Sequence, residues 1–430
     1  MPLRGEERHG DRRQTFNRNR HAQEGTADIP GARQARLNDP SAWRVNVRRM
    51  YVWRGLTMMH FFAGVLIPFF TDWGGLTLPQ VFVLQAWFFL WIFLLEVPTG
   101  AVADKFGRKA SLISANVCLI TAVAIYATGK GFTRFLVAEA LWAASAALAS
   151  GADEAMVYDS LKACGEESRS KKALATLATF DIGAIAIAAP LGSLMAARWG
   201  LNVPMIMMLV PFSLGLLLSL TLREPPTGEE GLKPAYREVV VRGARYFAAH
   251  KPLRALAFDS VTIWMLSFMI IWLFQPRLKE IGVGIGVYGF VTAAMTLAQI
   301  AVLSNPDRVE KFFGGARRFL TWSAVIPGLS FLALPFATNP WAAGALFVLI
   351  PAFGLSRSVV ISNYMNKHVD SAKRATVLST VGMGRQLMGV IVLPTVGLLT
   401  KLSLSWTFTA LGISILVCAW ASVVEEAHLS

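Results

Sequence analysis

Residues 96–109 read Glu-Val-Pro-Thr-Gly-Ala-Val-Ala-Asp-Lys-Phe-Gly-Arg-Lys and form a short basic stretch between two long apolar runs. Within this stretch, the spacing fits the pattern G-x-x-x-D-[RK]-x-G-[RK]-[RK]. Two glycines, one carboxylate and three basic residues therefore stand at fixed intervals where two apolar segments meet. We call them the loop motif, and its members are Gly100, Asp104, Lys105, Gly107, Arg108 and Lys109.

The composition places most of the chain in lipid. It is 54% hydrophobic and only 16% charged, whereas a soluble domain of this length needs far more polar surface. Only helices and closed barrels satisfy their backbone polar groups in lipid, and barrel strands would alternate in polarity. We therefore predict an all-α membrane protein with about twelve transmembrane helices of ~20 residues each. The apolar segments, numbered one to twelve in chain order, are residues 55–72, 79–102, 110–128, 132–153, 173–197, 203–222, 253–275, 284–304, 318–336, 341–360, 376–399 and 404–423.

The net charge of +14 reflects membrane topology rather than nucleic-acid binding. Of 41 Lys and Arg residues, most fall in the terminal tail and in the loops on the loop-motif side. Such an asymmetry is typical of the cytoplasmic side of a membrane protein, so both termini are predicted to be cytoplasmic and the lipid bilayer is the large partner. The exceptions are six residues in the opposite loops (Lys130, Arg134, Arg198, Arg277, Lys279 and Lys401) and two within helices (Arg357 and Arg385).

The polar stretches predict four parts of the chain. Residues 1–50 form a basic tail, whose first forty residues have the composition of a disordered segment. Residues 223–252 form a linker that divides the apolar segments six and six. In this linker, the helical spacing of apolar residues between Pro234 and His250 predicts an amphipathic helix along the inner membrane surface. Residues 51–222 and 253–430 then form an N-terminal and a C-terminal six-helix bundle.

A weak internal repeat predicts that the bundles are related by a pseudo-two-fold axis. An offset of 204 positions aligns residues 150–195 with 354–399 without a gap. The alignment places Asp153 opposite Arg357 and Asp181 opposite Arg385. Acidic residues thus occupy one half and arginines the matching sites of the other, which predicts an electrically polarised cavity between the halves. We expect Asp181 and Arg385 to face that cavity and to be functionally linked.

The loop motif resembles the loop between helices 2 and 3 of the major facilitator superfamily of secondary transporters, and it stands at the same place, after the second apolar segment. This resemblance to bacterial twelve-helix members implies alternating access, with the motif latching the cytoplasmic side in the outward-open state. It also implies an acidic partner on helix 4, for which Asp159, or Asp153 and Glu154, are available. We expect Gly100 to let the second helix approach a neighbour closely and Asp104 to accept hydrogen bonds at a helix N-terminus.

Charged residues inside hydrocarbon cost ~2.5–3.5 kcal/mol each on insertion scales, so each is a functional hypothesis. Asp181 and Glu139 are the predicted proton-coupling residues, because a carboxylate can change its protonation as it alternates between wet and closed environments. Glu139 stands where the drug-efflux branch of the family usually carries an arginine. The predicted substrate-binding or ion-pairing residues are Arg385, Arg357, Asp153, Glu96 and Asp259.

The sequence shows no phosphate-binding glycine loop, no Ser-His-Asp order and no metal-ligand spacing, so we expect neither an enzyme nor a bound cofactor or metal. Our first hypothesis is a monomeric transporter of the bacterial inner membrane that exports hydrophobic or drug-like molecules in exchange for protons. Proton-coupled uptake or exchange of an organic anion is an alternative, since Arg357 and Arg385 could hold a carboxylate or phosphate. A non-transporting sensor or assembly factor of the same fold is a third hypothesis.

Overall fold

The structure is a computed structural model that describes residues 40–226, 250–369 and 374–422, together with Arg245 and Phe247. Every regular element in these ranges is helical, which confirms the all-α prediction. The principal helices of the first half are Pro40–Thr57, Phe61–Gly64, Leu66–Pro68, Phe69–Trp73, Leu78–Phe106, Arg108–Thr128, Phe132–Ala149, Ala152–Ala163, Ser170–Trp199, Val203–Met207 and Leu209–Leu220. Those of the second half are Lys251–Phe268, Ile270–Glu280, Tyr288–Ser304, Pro306–Phe313, Ala316–Ala333, Pro340–Gly354, Arg357–Met365, Arg374–Leu399 and Leu404–Trp420.

Helices account for all twelve predicted segments. Ten helical stretches are long and apolar enough to cross a membrane. The first segment adds an eleventh as a bent pair, Ser41–Gly64 and Leu66–Trp73, with 72° between its two parts. The twelfth segment is the shorter apolar helix Leu404–Trp420. Among the described residues, the structure therefore has the helical content that about twelve spans require.

The first helix begins at Pro40, so the predicted boundary of the basic tail at residue 50 is wrong. Trp43, Val47 and Met50 recur at helical spacing and are buried, which ties this stretch to the first half. The arginines between them lower the local hydropathy, and this concealed the helix in the sequence. Residues 1–39 lie outside the described residues. So does the predicted amphipathic helix of the linker, apart from Arg245, Phe247 and His250.

Local sequence signals explain where the loop-motif helix begins and ends. Thr77 accepts a hydrogen bond from the backbone N–H of Gln80, whose side chain in turn accepts one from the backbone of Thr77. This reciprocal capping box starts the helix Leu78–Phe106. The helix ends at Gly107, whose φ of 91° is a left-handed conformation that favours glycine. The loop motif is thus a one-residue break between two long helices.

The two halves are in close contact on the side opposite the loop motif. A Cβ atom on Gly64 would lie 2.7 Å from the Cα atom of Gly289, and one on Gly289 would lie 2.0 Å from the carbonyl oxygen of Ala189. Only glycine permits such backbone approach. Lys279 also pairs with Asp72 at 2.7 Å across the same boundary. This side of the molecule is closed.

The loop-motif side is open. Leu78–Phe106 and Arg374–Leu399 touch near their far ends, where Gly389 packs on the ring of Phe89 and Gly397 on Phe82. Towards the loop motif, a Cβ atom on Gly100 or Gly382 would meet no heavy atom within 4 Å. The expected close approach at Gly100 is therefore absent from this conformation, because the two helices diverge before reaching it.

Candidate functional site

An ion pair connects the loop motif to the helix Ala152–Ala163, which follows the fourth segment. Arg108 Nη2 lies 2.6 Å from Asp159 Oδ2, and both side chains are largely shielded from solvent. Asp159 was one of three acidic residues that the resemblance offered as partners. Asp153, a second candidate, is instead 2.8 Å from Arg54. In this open conformation Arg108 is therefore held within its own half.

Glu224, which sequence analysis did not single out, caps the helix that follows the loop motif. Its two carboxylate oxygens accept hydrogen bonds from the backbone N–H groups of Arg108 at 2.7 Å and Lys109 at 2.8 Å. A carboxylate at a helix N-terminus satisfies unpaired donors and interacts favourably with the helix dipole. A Cβ atom at Gly107 would lie 2.8 Å from this carboxyl group, so the second glycine of the motif also makes room for the cap. Because Glu224 is more than a hundred positions away, no local signal identifies it.

Arg54 joins the first, fourth and fifth segments. Its Nη1 lies 2.8 Å from Asp153 Oδ2 and its Nη2 lies 2.9 Å from Asp181 Oδ2. Arg54 stood at the edge of an apolar segment and was not predicted as a site residue. Asp181 therefore has a cationic partner within its own half, and the expected link with Arg385 is not a direct pairing in this conformation.

The second half contains an ion pair of reversed polarity. Arg357 and Asp259 are both almost completely buried and hydrogen-bond to each other. Arg357 also donates to Ser323 Oγ at 2.8 Å, while Ser422 Oγ donates to Asp259 Oδ1 at 2.9 Å. The guanidinium of Arg357 is thus occupied by protein groups in this conformation, which fits its predicted ion-pairing role rather than its predicted binding of an anionic substrate. Asp259 is an ion-pairing residue, as one of its two predicted roles required.

The repeat explains the reversal. Asp153 and Arg357 are matched sites, and Arg54 and Asp259 are separated by nearly the same offset. In the first half, the base Arg54 directly precedes the first segment and the acid Asp153 ends the fourth. In the second half, the acid Asp259 lies in the seventh segment and the base Arg357 in the tenth. The opposite charges found by alignment therefore close separate pairs within each half.

Arg385 has no acidic partner among the residues that the structure describes. Its guanidinium carbon lies 4.4 Å from the ring centroid of Trp264, a cation–π geometry. Trp264 stacks in turn on Phe268, with 4.7 Å between the ring centroids. The Nε of Arg385 is buried without a hydrogen-bond partner. The positive charge of Arg385, the ring of Trp264 and the ring of Phe268 thus form one stack.

Glu139 and Gln85 form a buried polar pair near that centre. Gln85 Nε2 donates to Glu139 Oε1 at 2.7 Å, and the two residues are 4% and 6% exposed, respectively. Within the described ranges, no Lys or Arg nitrogen approaches Glu139 closely enough for an ion pair. Tyr126 is also buried in this region, with its hydroxyl beside the Glu139 carboxylate. Glu139 is consequently a membrane-embedded carboxylate held by neutral groups alone.

A cavity of about 240 Å³ opens onto Glu139 and Gln85. We call it the central cavity. Aromatic rings from both halves line it, including Phe62 and Trp142 from the first half and Phe268 and Trp272 from the second. Glu96, by contrast, is half-buried on the second segment and lines neither this cavity nor the next.

A second cavity of about 270 Å³ lies between the central cavity and the loop-motif side. We call it the vestibule. Arg54, Asp153 and Glu154 line it, and it shares His60 and Trp142 with the central cavity. The rings of His60 and Trp142 meet edge-on at 5.5 Å between centroids. These two side chains therefore separate a polar outer space from an aromatic inner one.

The exposed surface beside the vestibule holds a further ion-pair cluster. Arg44 lies 2.6 Å from Glu166, which also accepts a hydrogen bond from Arg169. The hydrogen bond from Arg44, more than any other contact, lowers the pKa of the Glu166 carboxyl. Since the arginines are more than half exposed, solvent screening makes this cluster a minor contributor to stability.

Comparison with known proteins identifies the fold. The model of the Major Facilitator Superfamily matches residues 53–392. A crystal structure of the nucleoside transporter NupG is similar with a TM-score of 0.72 and 11% identity, covering 88% of this chain and 98% of that one. A crystal structure of a D-xylose-proton symporter has a TM-score of 0.70 and 14% identity, covering 90% of this chain and 99% of that one. A crystal structure of a peptide transporter POT in complex with sulfate has a TM-score of 0.71 and 13% identity, covering 88% of this chain and 93% of that one. No curated protein matches the chain in sequence.

Proposed function

Because this chain belongs to the major facilitator superfamily of secondary transporters, we propose that it exports hydrophobic or drug-like molecules in exchange for protons. The observation that carries the proposal is the central cavity, in which aromatic rings from both halves surround one buried carboxylate, Glu139. The rings offer apolar contact to a substrate of variable shape. The carboxylate offers a single site where a proton can be bound and released.

Glu139 is a better candidate for the proton carrier than Asp181. Asp181 is 2.9 Å from Arg54, and an adjacent positive charge favours the ionised form of a carboxylate in every state that preserves the pair. The polar groups beside Glu139 are neutral: the amide of Gln85 and the hydroxyl of Tyr126. Its charge is therefore uncompensated inside the membrane, and uptake of a proton removes that cost. Asp181 keeps the role of a charged residue paired with Arg54, which lines the vestibule.

The conformation fits a step of alternating access. If the loop-motif side is cytoplasmic, as the charge asymmetry predicts, this structure is open to the cytoplasm and closed outside. Rocking of the two halves would separate Gly289 from Ala189 and bring Gly100 towards Arg374–Leu399. The central cavity would then open to the other side. A monomer in the bacterial inner membrane is sufficient for this cycle.

One observation favours the organic-anion alternative. Arg385 stands beside the central cavity, stacked on Trp264, with no acid to neutralise it among the described residues. Arg357 no longer supports this alternative, because Asp259 and Ser323 occupy its guanidinium. The anion hypothesis thus depends on one arginine that does not line the central cavity.

Proton-driven efflux of a neutral dye tests the proposal. Inside-out vesicles from cells that produce the chain are loaded with Nile red, whose fluorescence falls as it leaves the membrane. An acid interior should drive a fast fluorescence decrease, and nigericin, which collapses the pH gradient, should abolish it. Vesicles containing Glu139→Gln serve as the matched control, and the pH gradient should not speed their fluorescence decrease.

Two results would contradict the proposal. Counterflow of labelled para-aminohippurate in proteoliposomes, without movement of Nile red, would identify an organic-anion transporter. Failure to move either compound under any gradient would favour a sensor or assembly factor of this fold.

A further inference from the structure

The central cavity has the chemistry of a site for positively charged organic molecules. We propose that it binds lipophilic organic cations, with Glu139 as their counter-ion and the surrounding rings as their contact surface. The proposal rests on the transporter function proposed above and names its substrate class. It also makes Glu139 a residue that holds either a cation or a proton, but not both.

The titratable side chains that line the cavity favour a cation over an anion or a neutral molecule. Among its lining residues, Glu139 is the one carboxylate and His60 the one imidazole, and no Lys or Arg contributes to the wall. An anion would meet the carboxylate of Glu139 without a compensating base. A neutral molecule would cover that carboxylate and leave its charge buried. A bound cation would attract the Glu139 carboxylate and so offset the free-energy cost of burying its charge.

The geometry of the rings favours the same ligand. Trp142 meets Phe62 edge-on at 5.3 Å, and Trp272 meets Phe268 edge-on at 6.2 Å. These pairs come from opposite halves and enclose one space. The faces of aromatic rings carry partial negative charge and attract cations, tryptophan most strongly. A cation between the pairs would contact both halves and couple its binding to their movement.

Exchange between cation and proton follows from how Glu139 is held. Gln85 donates to only one carboxylate oxygen, Oε1, so the other remains for a ligand or a proton. The titratable groups on the neighbouring segments are Tyr126 on the third and His60 on the first. Neither is a permanent base that would neutralise Glu139. Protons and organic cations therefore compete for the same oxygen atoms.

Calorimetric titration of the purified full chain in lipid nanodiscs tests the site. The probe is benzyltrimethylammonium, a permanent cation that cannot lose a proton, and its comparison is the neutral isostere 2,2-dimethylpropylbenzene. Wild-type protein should bind the cation, and Glu139→Gln should weaken that binding at least tenfold. The neutral isostere should show no difference between the two proteins. The affinity of the wild type for the cation should fall as pH falls, whereas that of Glu139→Gln should not change.

Two further variants separate a binding role from a structural one. Glu280→Gln removes a carboxylate at the distant end of the seventh segment, where it pairs with Arg277, and should leave cation binding unchanged. Trp272→Leu removes one ring of the cavity. It should weaken cation binding but preserve its pH dependence, since Glu139 remains. The elution profile and circular dichroism of each variant establish that it is folded.

The outcomes distinguish this site from the transporter function itself. Equal cation affinity of wild type and Glu139→Gln, or no cation binding by the wild type, would refute the cation site even if Nile red is still extruded. Loss of proton-driven extrusion with cation binding intact would refute the proposed function instead. If Glu139→Gln does not fold, Trp272→Leu decides: pH-independent cation binding in that variant would overturn the proposal.

Discussion

Arg54 and Asp181 lie 127 positions apart in the sequence, yet Arg54 Nη2 is 2.9 Å from Asp181 Oδ2. The same guanidinium holds Asp153, so one base faces two carboxylates in the first half. In the second half, Asp259 is matched by Arg357, and Arg385 remains without an acid among the described residues. Within these groups, one negative charge is therefore left over in the first half and one positive charge in the second. The expected direct pairing of Asp181 with Arg385 across the boundary is not present in this conformation.

The two contacts of Arg54 differ in burial, which leads to a prediction on stability. Asp153 has a side chain only 6% exposed, whereas that of Asp181 is 27% exposed. Arg54→Gln leaves the buried Asp153 carboxylate unpaired and should cost on the order of 3 kcal/mol. Asp181→Asn leaves the Arg54–Asp153 pair intact and should cost about 1 kcal/mol or less.

Thermal unfolding of the purified variants measures both effects, with Arg44→Gln as a control at the exposed pair with Glu166. The control should change the midpoint little. A loss in Arg54→Gln no larger than in the control would show that the buried network does not stabilise the fold.

The assignment of the proton carrier predicts opposite effects at two carboxylates. Glu139→Gln should abolish proton-driven accumulation of Nile red but permit downhill efflux, because the cavity retains its rings. Asp181→Asn should keep proton coupling, since its charge is already compensated by Arg54. The measurement is dye movement with and without a pH gradient. Retention of coupling in Glu139→Gln and its loss in Asp181→Asn would restore Asp181 as the carrier.

The arginines of the second half should separate into a structural and a functional residue. Arg357→Gln removes the partner of buried Asp259 and should lower the yield of folded protein strongly, by on the order of 3 kcal/mol of stability. Arg385→Gln breaks only the contact with Trp264 and should cost about 1 kcal/mol. Its rate of dye efflux should nevertheless fall, because Arg385 holds Trp264, which stacks on Phe268 in the wall of the central cavity. Parallel measurements of unfolding and of dye efflux decide, and a destabilisation by Arg385→Gln as large as that by Arg357→Gln would be incompatible with this division.

The loop motif should control conformation rather than substrate affinity. Asp104→Asn should reduce transport and leave ligand binding unchanged, as the predicted latch role requires. Glu224→Gln weakens the cap on Arg108 and Lys109 and should lower stability by about 1 kcal/mol. Binding titrations and flux assays on the same preparations make the comparison. Equal losses of binding and flux in a stably folded Asp104→Asn variant would argue against a latch.

Topology is testable with an impermeant thiol reagent in intact cells. After replacement of Cys118, Cys164 and Cys418, a cysteine introduced at Lys105 or Ser168 should be protected from the reagent. One introduced at Lys130 should react. The reason is the excess of basic residues on the loop-motif side, which predicts that this side is cytoplasmic. Reaction at Lys105 from outside would reverse the assigned orientation.

Much of the fold could be predicted from the sequence because it depends on local chemistry. Apolar segments of spanning length must be helical in lipid, and the capping box at Thr77 with the glycine at 107 marks the ends of the loop-motif helix. The helix start at Pro40 was not predicted, because the buried side chains of Trp43, Val47 and Met50 alternate there with arginines. Burial against distant helices, not local hydropathy, stabilises that stretch.

The sequence by itself determined which residues bear charge in the membrane, and Glu139, Asp181 and Arg385 were all identified in this way. The tertiary structure decided which of those charges are compensated. Asp181 meets Arg54 and Arg357 meets Asp259, whereas Glu139 meets only Gln85. The energy of a charge in a membrane depends on the atoms within a few ångströms. Those atoms come from helices remote in sequence, so only the folded chain distinguishes a structural ion pair from a carboxylate free to bind a proton.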